Sequence, residues 1–221
     1  MARITLFAGH YGSGKTTGAV AYAKKIKTEN NKVMIVDIDL VNPYFRTKDA
    51  EIELKSLGIE VISPTYANTN VEAPSIPPEI MAAFSKKDYE VVFDVGGDDD
   101  GGVVLGRFFG EFSQENYEFL LIINTKRPLT FDEKSIIIYK EAIERASRLK
   151  FTGLVNATNI STETTVDDIL ESEKIISEVS KETGIPKKYN FVLPELLDKL
   201  PDYIKKVSIP VELFNKKPWE N

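Results

Sequence analysis

Seven short apolar runs, separated by stretches of helical periodicity, constrain this chain most. They are Ile4–Ala8, Val33–Val36, Ile59–Ile62, Val91–Phe93, Phe119–Ile123, Leu154–Val155 and Phe191–Leu193. The runs are near-continuously apolar rather than alternating, as strands covered on both faces require. Between them, Lys15–Lys27 reads as a helix. Thr130 with Glu133 forms a capping-box pattern ahead of Ile136, Ile143, Ala146 and Leu149 at helical spacing. Thr165 with Asp168 opens a further helix carrying Ile169, Ile176 and Val179, which Gly184 and Pro186 end. Strand–helix alternation of this kind predicts an α/β fold: a three-layer, doubly wound, mainly parallel sheet with helices on both faces. Residues 1–221 are expected to form one domain, with Pro64–Pro78 as a long surface connection.

Composition removes several chemistries. The chain has no Cys, which excludes a disulfide scaffold, a thiolate zinc site, a cysteine nucleophile and a cysteine-held iron–sulfur cluster. Its net charge of −6 argues against non-specific nucleic-acid binding. It contains no apolar run long enough to span a bilayer and no signal-peptide pattern at its start, so a cytoplasmic location is expected. From Lys187 onward the sequence is Lys-rich, but Pro201, Pro210 and Pro218 interrupt any amphipathic membrane helix. Trp219 reads as a packing residue rather than a lipid anchor.

The most specific motif is Gly9-His10-Tyr11-Gly12-Ser13-Gly14-Lys15-Thr16, which fits the phosphate-loop pattern G-x-x-x-x-G-K-[ST] between a strand and a helix. Gly9, Gly12 and Gly14 let the backbone curl so that its amides, including that of Ser13, face phosphate oxygens. The helix N-terminus at Lys15, Thr16 and Thr17 adds its positive dipole end. Lys15 supplies a point charge at the β and γ phosphates, and the Thr16 hydroxyl suits Mg²⁺.

Two strand ends carry carboxylates at the edge where parallel sheets bind ligands. Asp37 and Asp39 follow Val33–Val36 and fall on one side by period-2 alternation. Asp94 follows Val91–Phe93. Asp94 is the candidate for the magnesium water shell, Asp39 for polarising the attacking water and Asp37 for the metal's outer surroundings. Each also fits a plain role as a cap or turn residue. Asp98-Asp99-Asp100 reads as a solvated loop, because adjacent carboxylates repel. The alternative is a mobile switch that senses the γ-phosphate through Gly96 and Gly97.

With these pieces assembled, the sequence resembles the deviant-Walker ATPases of the MinD/ParA type, in the SIMIBI class of P-loop proteins. The matching segments are Gly9–Thr17, Val33–Asp39, Tyr89–Gly97, Leu154–Asn156 and Gly184–Glu195. The resemblance implies Mg-dependent ATP binding, slow hydrolysis assisted by Asp39, a nucleotide-dependent homodimer and a protein partner it does not name. It also implies that Asn156 and Pro194 border the adenine ring; their ordinary readings are a cap and a strand stop. One position departs from the family. The signature Lys that reaches a partner subunit's phosphates is replaced by His10, which is no fixed cation. Arg46, Arg107 and Lys126 are the candidates to supply that charge.

Guanine-specific relatives carry [NT]-K-x-D after a strand. Here Asn124-Thr125-Lys126-Arg127-Pro128 lacks the Asp, which favours ATP over GTP. Two other readings stand beside the ATPase switch. One is an ATP-dependent small-molecule kinase or ligase of the dethiobiotin-synthetase kind. The other is a nucleotide-binding partner module without turnover.

Overall fold

The computed structural model describes residues 2–39, 47–63, 78–161 and 163–212. Arg46, Trp219 and nearly all of the Pro64–Pro78 connection lie outside them. In chain order the elements are β1 (Ile4–Ala8), α1 (Lys15–Ile26), β2 (Lys32–Ile38), α2 (Glu51–Ser56), β3 (Ile59–Ile62), α3 (Met81–Ser85), β4 (Tyr89–Val95), α4 (Asp98–Arg107), α5 (Phe109–Phe112), β5 (Tyr117–Ile123), α6 (Glu133–Ser147), β6 (Gly153–Asn156), α7 (Val166–Thr183), β7 (Lys187–Val192), α8 (Pro194–Leu197), α9 (Asp202–Lys205) and β8 (Ser208–Pro210).

The strands form one sheet in the order β3-β2-β4-β1-β5-β6-β7-β8, and every pairing is parallel. All carboxyl ends therefore share an edge. After β1 the chain moves outward to β2 and β3, returns to β4, and then continues on the other side with β5. The switch point thus lies at β1, where open α/β sheets bind their ligands.

Alternation along β1 separates two cores. Ile4, Leu6 and Ala8 join residues of α3 to α7 such as Phe84, Leu105, Phe112, Ile143 and Ile176. Phe7 points to the other face, against Ala19, Tyr22 and Ala23 of α1 and Leu54 of α2. This is the three-layer arrangement that the uninterrupted apolar strands call for. A smaller cluster, built from Ile169, Val192, Leu193, Leu196, Leu200 and Ile204, closes the sheet's carboxyl edge near β7.

The α7 cap is the expected one: Thr165 and Asp168 cap reciprocally, and Gly184 ends the helix at φ 71°. The α6 cap is not. Asp132 and Ser135 form its capping box, while the Thr130 hydroxyl donates to the Asn124 carbonyl at 2.7 Å. Asp98–Asp100 are also not a loop. They open α4, where acidic residues are favoured by the positive end of the helix dipole. Glycines bring α4 close to its neighbours: a β-carbon on Gly101 would lie 2.0 Å from the Gly96 carbonyl oxygen, and one on Gly102 would lie 2.8 Å from Ala146 of α6. The eighth strand escaped sequence reading because it is three residues long and ends in Pro210, which an edge position tolerates. Among the described residues, no helix is long and apolar enough to cross a membrane.

Candidate functional site

The loop leaving β1 is bent by glycine. Gly12 and Gly14 adopt left-handed φ values of 72° and 88°, which L side chains rarely tolerate. The Ser13 amide donates to the His10 carbonyl at 3.0 Å, closing the turn. Gly14 then occupies the N-cap of α1, where no side chain caps the helix and no acidic residue stands in the first turn. The helix therefore presents its amino end to an external anion. Lys15 is only 5% exposed; its Nζ donates to the His10 carbonyl at 3.4 Å. Gly97 backs this loop so closely that a β-carbon there would lie 3.1 Å from the Tyr11 amide and 3.3 Å from Lys15 Nζ. The buried Ser13 hydroxyl has no hydrogen-bond partner among the described residues.

Strand register gathers the acids beside this loop. Asp94 of β4 pairs with Asp37 of β2 on one side and with Phe7 of β1 on the other. Asp94 is fully buried. Its Oδ2 accepts from the Thr47 hydroxyl at 3.2 Å, while Oδ1 has no hydrogen-bond partner among the described residues. Burial pushes its carboxyl up to about 6, helped by the Asp39 charge and opposed by the hydroxyls of Thr16 and Thr47 and the charge of Lys15. Asp37 is buried and accepts the Asp39 amide at 2.9 Å. Asp39 lies under Gly96, where a β-carbon would come within 3.2 Å of its Oδ1.

Among the described residues, no group of three or more acidic or imidazole side chains could hold a metal unaided. The donors present are all oxygens, and one buried carboxylate oxygen, Asp94 Oδ1, has no hydrogen-bond partner among the described residues. That set fits Mg²⁺, a small hard cation that keeps several waters and binds through one or two carboxylates together with substrate phosphates.

A cavity of about 510 Å³ extends from the phosphate loop, within the ~300–1,000 Å³ range of small-ligand pockets. Gly12, Gly14, Lys15, Thr16 and Thr17 line one end; Thr158–Ser161, Ile169 and Phe191–Leu193 line the other. Gly18 lets α1 approach that far wall, since a β-carbon there would overlap the Phe191 ring. Asn156 and Pro194 do not line the cavity. The Asn156 amide nitrogen donates to Ser172 Oγ at 2.7 Å and to Glu173 Oε1 at 2.9 Å. Its oxygen accepts the Thr158 amide at 3.0 Å, so this side chain ties β6 to α7. Pro194 is exposed at the first position of α8. Their neighbours Asn159 and Leu193 line the cavity instead.

The candidate cations fare differently as well. Lys126 is paired with Asp168 at 2.7 Å and Glu171 at 3.6 Å. That pairing and the Thr165 hydroxyl hold the Asp168 carboxyl down at about 2. Arg107 stands exposed in the last turn of α4, away from the cavity. Sequence reading passed over Arg127, which lines the cavity and whose Nε donates to the Gly12 carbonyl at 3.1 Å. Its place at a strand end in Asn124–Pro128 was the available signal.

Solved structures share this architecture. Cell division protein FtsY from Thermotoga maritima superposes with a TM-score of 0.60 at 19% identity, over 86% of this chain and 61% of that one. The fold is that of a P-loop NTPase. The signal recognition particle receptor FtsY from Elizabethkingia anophelis, solved in complex with GDP, gives 0.58 at 18% identity, over 87% and 57%. Chloroplast FtsY from Physcomitrella patens gives 0.56 at 18%, over 86% and 58%. The chain spans about three-fifths of the length of the structures it matches. No family model matches the sequence, and no curated protein matches it.

Proposed function

We propose that residues 1–221 form one nucleotide-binding domain, a Mg-dependent ATP-binding switch that hydrolyses ATP slowly in the MinD/ParA manner. The observation that carries this reading is the uncapped, glycine-bent start of α1. There a buried Lys15 lies beside Asp94, one of whose oxygens has no partner among the described residues. In this reading the amides of Gly12–Thr17 and Lys15 Nζ hold the phosphates. Thr16 and Asp94, with Asp37 behind, would hold Mg²⁺ and its waters. Magnesium, when bound, supplies neutralisation of charge on the β and γ phosphates. Asp39 orients the water that attacks the γ-phosphorus; the bond to the leaving ADP oxygen breaks and phosphate departs. The nucleotide-dependent homodimer implied by the MinD/ParA resemblance belongs to the same proposal.

The base end supports adenine. No carboxylate lines the cavity among the described residues, so no single charged acceptor there takes both of the paired N–H donors of guanine. In calorimetric titrations, Mg-ATP is expected to bind about tenfold or more tighter than Mg-GTP, a difference of ~1.4 kcal/mol or more. Equal affinities, or a preference for GTP, would overturn the base assignment. Asp39→Ala is expected to slow phosphate release by about 100-fold or more while Mg-ATP still binds. Unchanged single-turnover release would remove Asp39 from the reaction.

A further inference from the structure

We propose that Arg127 binds the phosphate chain of the nucleotide, supplying from within the same chain the fixed cation that His10 cannot. The inference rests on the nucleotide reading above and extends it to a residue that no motif singles out.

Arg127 follows β5 in a rigid turn. Its amide donates to the Asn124 carbonyl at 3.1 Å, its own carbonyl accepts the Thr130 amide at 3.1 Å, and Pro128 fixes the next backbone angle. From there the side chain crosses to the phosphate loop. Nε donates to the Gly12 carbonyl at 3.1 Å, and the guanidinium atoms lie 3.3–3.5 Å from where a Gly12 β-carbon would stand. A β-carbon on Gly12 would press against the guanidinium, on a backbone whose φ of 72° L side chains rarely adopt. The contact therefore uses the missing side chain of Gly12 as well as its left-handed bend.

This contact occupies one of the five N–H donors of the guanidinium. Among the described residues the other four have no acceptor, and no carboxylate forms an ion pair with Arg127. The adjacent Lys126 is instead committed to Asp168 and Glu171. Arg127 thus holds a full positive charge and a planar donor set at the wall of the cavity, next to the amides of the loop. A guanidinium so presented matches the paired oxygens of a phosphate. The Asp37, Asp39 and Asp94 carboxylates on the opposite side of Lys15 make a second cation useful, because Lys15 alone must face both them and the triphosphate.

The test is a set of calorimetric titrations with Mg-ATP on the wild type, Arg127→Gln, Arg127→Lys and Lys15→Ala, with adenosine followed by its displacement of Mg-ATP. Gln keeps a donor for the Gly12 carbonyl but carries no charge, so it separates phosphate binding from simple bracing of the loop. Arg127→Gln is expected to weaken Mg-ATP by about tenfold, to flatten the dependence of affinity on salt, and to leave adenosine affinity unchanged. Arg127→Lys is expected to recover part of the loss. Wild-type affinity in Arg127→Gln would overturn the inference, and so would an equal loss for adenosine, which would make Arg127 a base or sugar contact. If Lys15→Ala loses Mg-ATP while Arg127→Gln does not, only this inference falls. If the wild type takes up no nucleotide, the functional reading falls with it.

Discussion

Lys15→Ala is expected to weaken Mg-ATP binding by about 100-fold or more, equivalent to ~2.8 kcal/mol or more. The size follows from where the ammonium sits. It is almost wholly buried, bent back onto the carbonyl of its own loop, and close enough to Asp94 to lower that group's carboxyl. Without it, a triphosphate entering the loop would meet three buried carboxylates with no buried ammonium between. The fold should survive, because Lys15 stands at the junction of the loop and α1 rather than among the hydrophobic residues of either core. Calorimetry reads the affinity, and thermal melting confirms that the variant is folded. Unchanged binding would move the nucleotide site elsewhere.

Asp94→Asn is expected to have opposite effects on stability and on function. In the protein without metal, burial raises the folded-state carboxyl from 3.8 to about 6. The folded state then binds more protons than the unfolded state between those values. Wild-type stability from this group is therefore full below about pH 4 and is lost as pH rises through about 6. Above that, the buried charge costs about 1–3 kcal/mol, the upper figure being the whole displacement. Asn carries no such charge. Urea unfolding with EDTA should find Asp94→Asn more stable than wild type by that amount near pH 8, with the advantage vanishing near pH 4. Saturating Mg-ATP should narrow or reverse the difference, because it stabilises the wild type more. A variant destabilised equally at every pH would mean that Asp94 is a structural hydrogen-bond acceptor whose charge is compensated.

The parts legible in the sequence were those whose physics is local. Period and apolarity marked seven of the strands, because strands covered on both faces need no polar alternation. The Gly9–Thr16 loop and the strand-end placement of Asp37, Asp39 and Asp94 followed from chain order alone, since parallel strands deliver their carboxyl ends to one edge. Each miss depended on a neighbour distant in sequence or on a competing local preference. Asp98–Asp100 looked like a solvated loop until the dipole of the helix they open is counted. Thr130 had a capping partner at the right spacing, but its hydroxyl went to Asn124 and left the cap to Asp132. Asn156 stood at the right strand end, yet Ser172 and Glu173 of α7 take both its donors. Arg127 meets Gly12 across 115 residues of sequence, and no periodicity encodes that contact.

The central claim is that the backbone amides between Gly9 and Thr16 grip a triphosphate. Amide hydrogen exchange, resolved to short peptides and compared with and without Mg-ATP, tests it most directly. The account predicts marked slowing in the Gly9–Thr17 peptide and the first turn of α1, lost in Lys15→Ala. Exchange there that is indifferent to Mg-ATP, or protection confined to another part of the sheet, would contradict it.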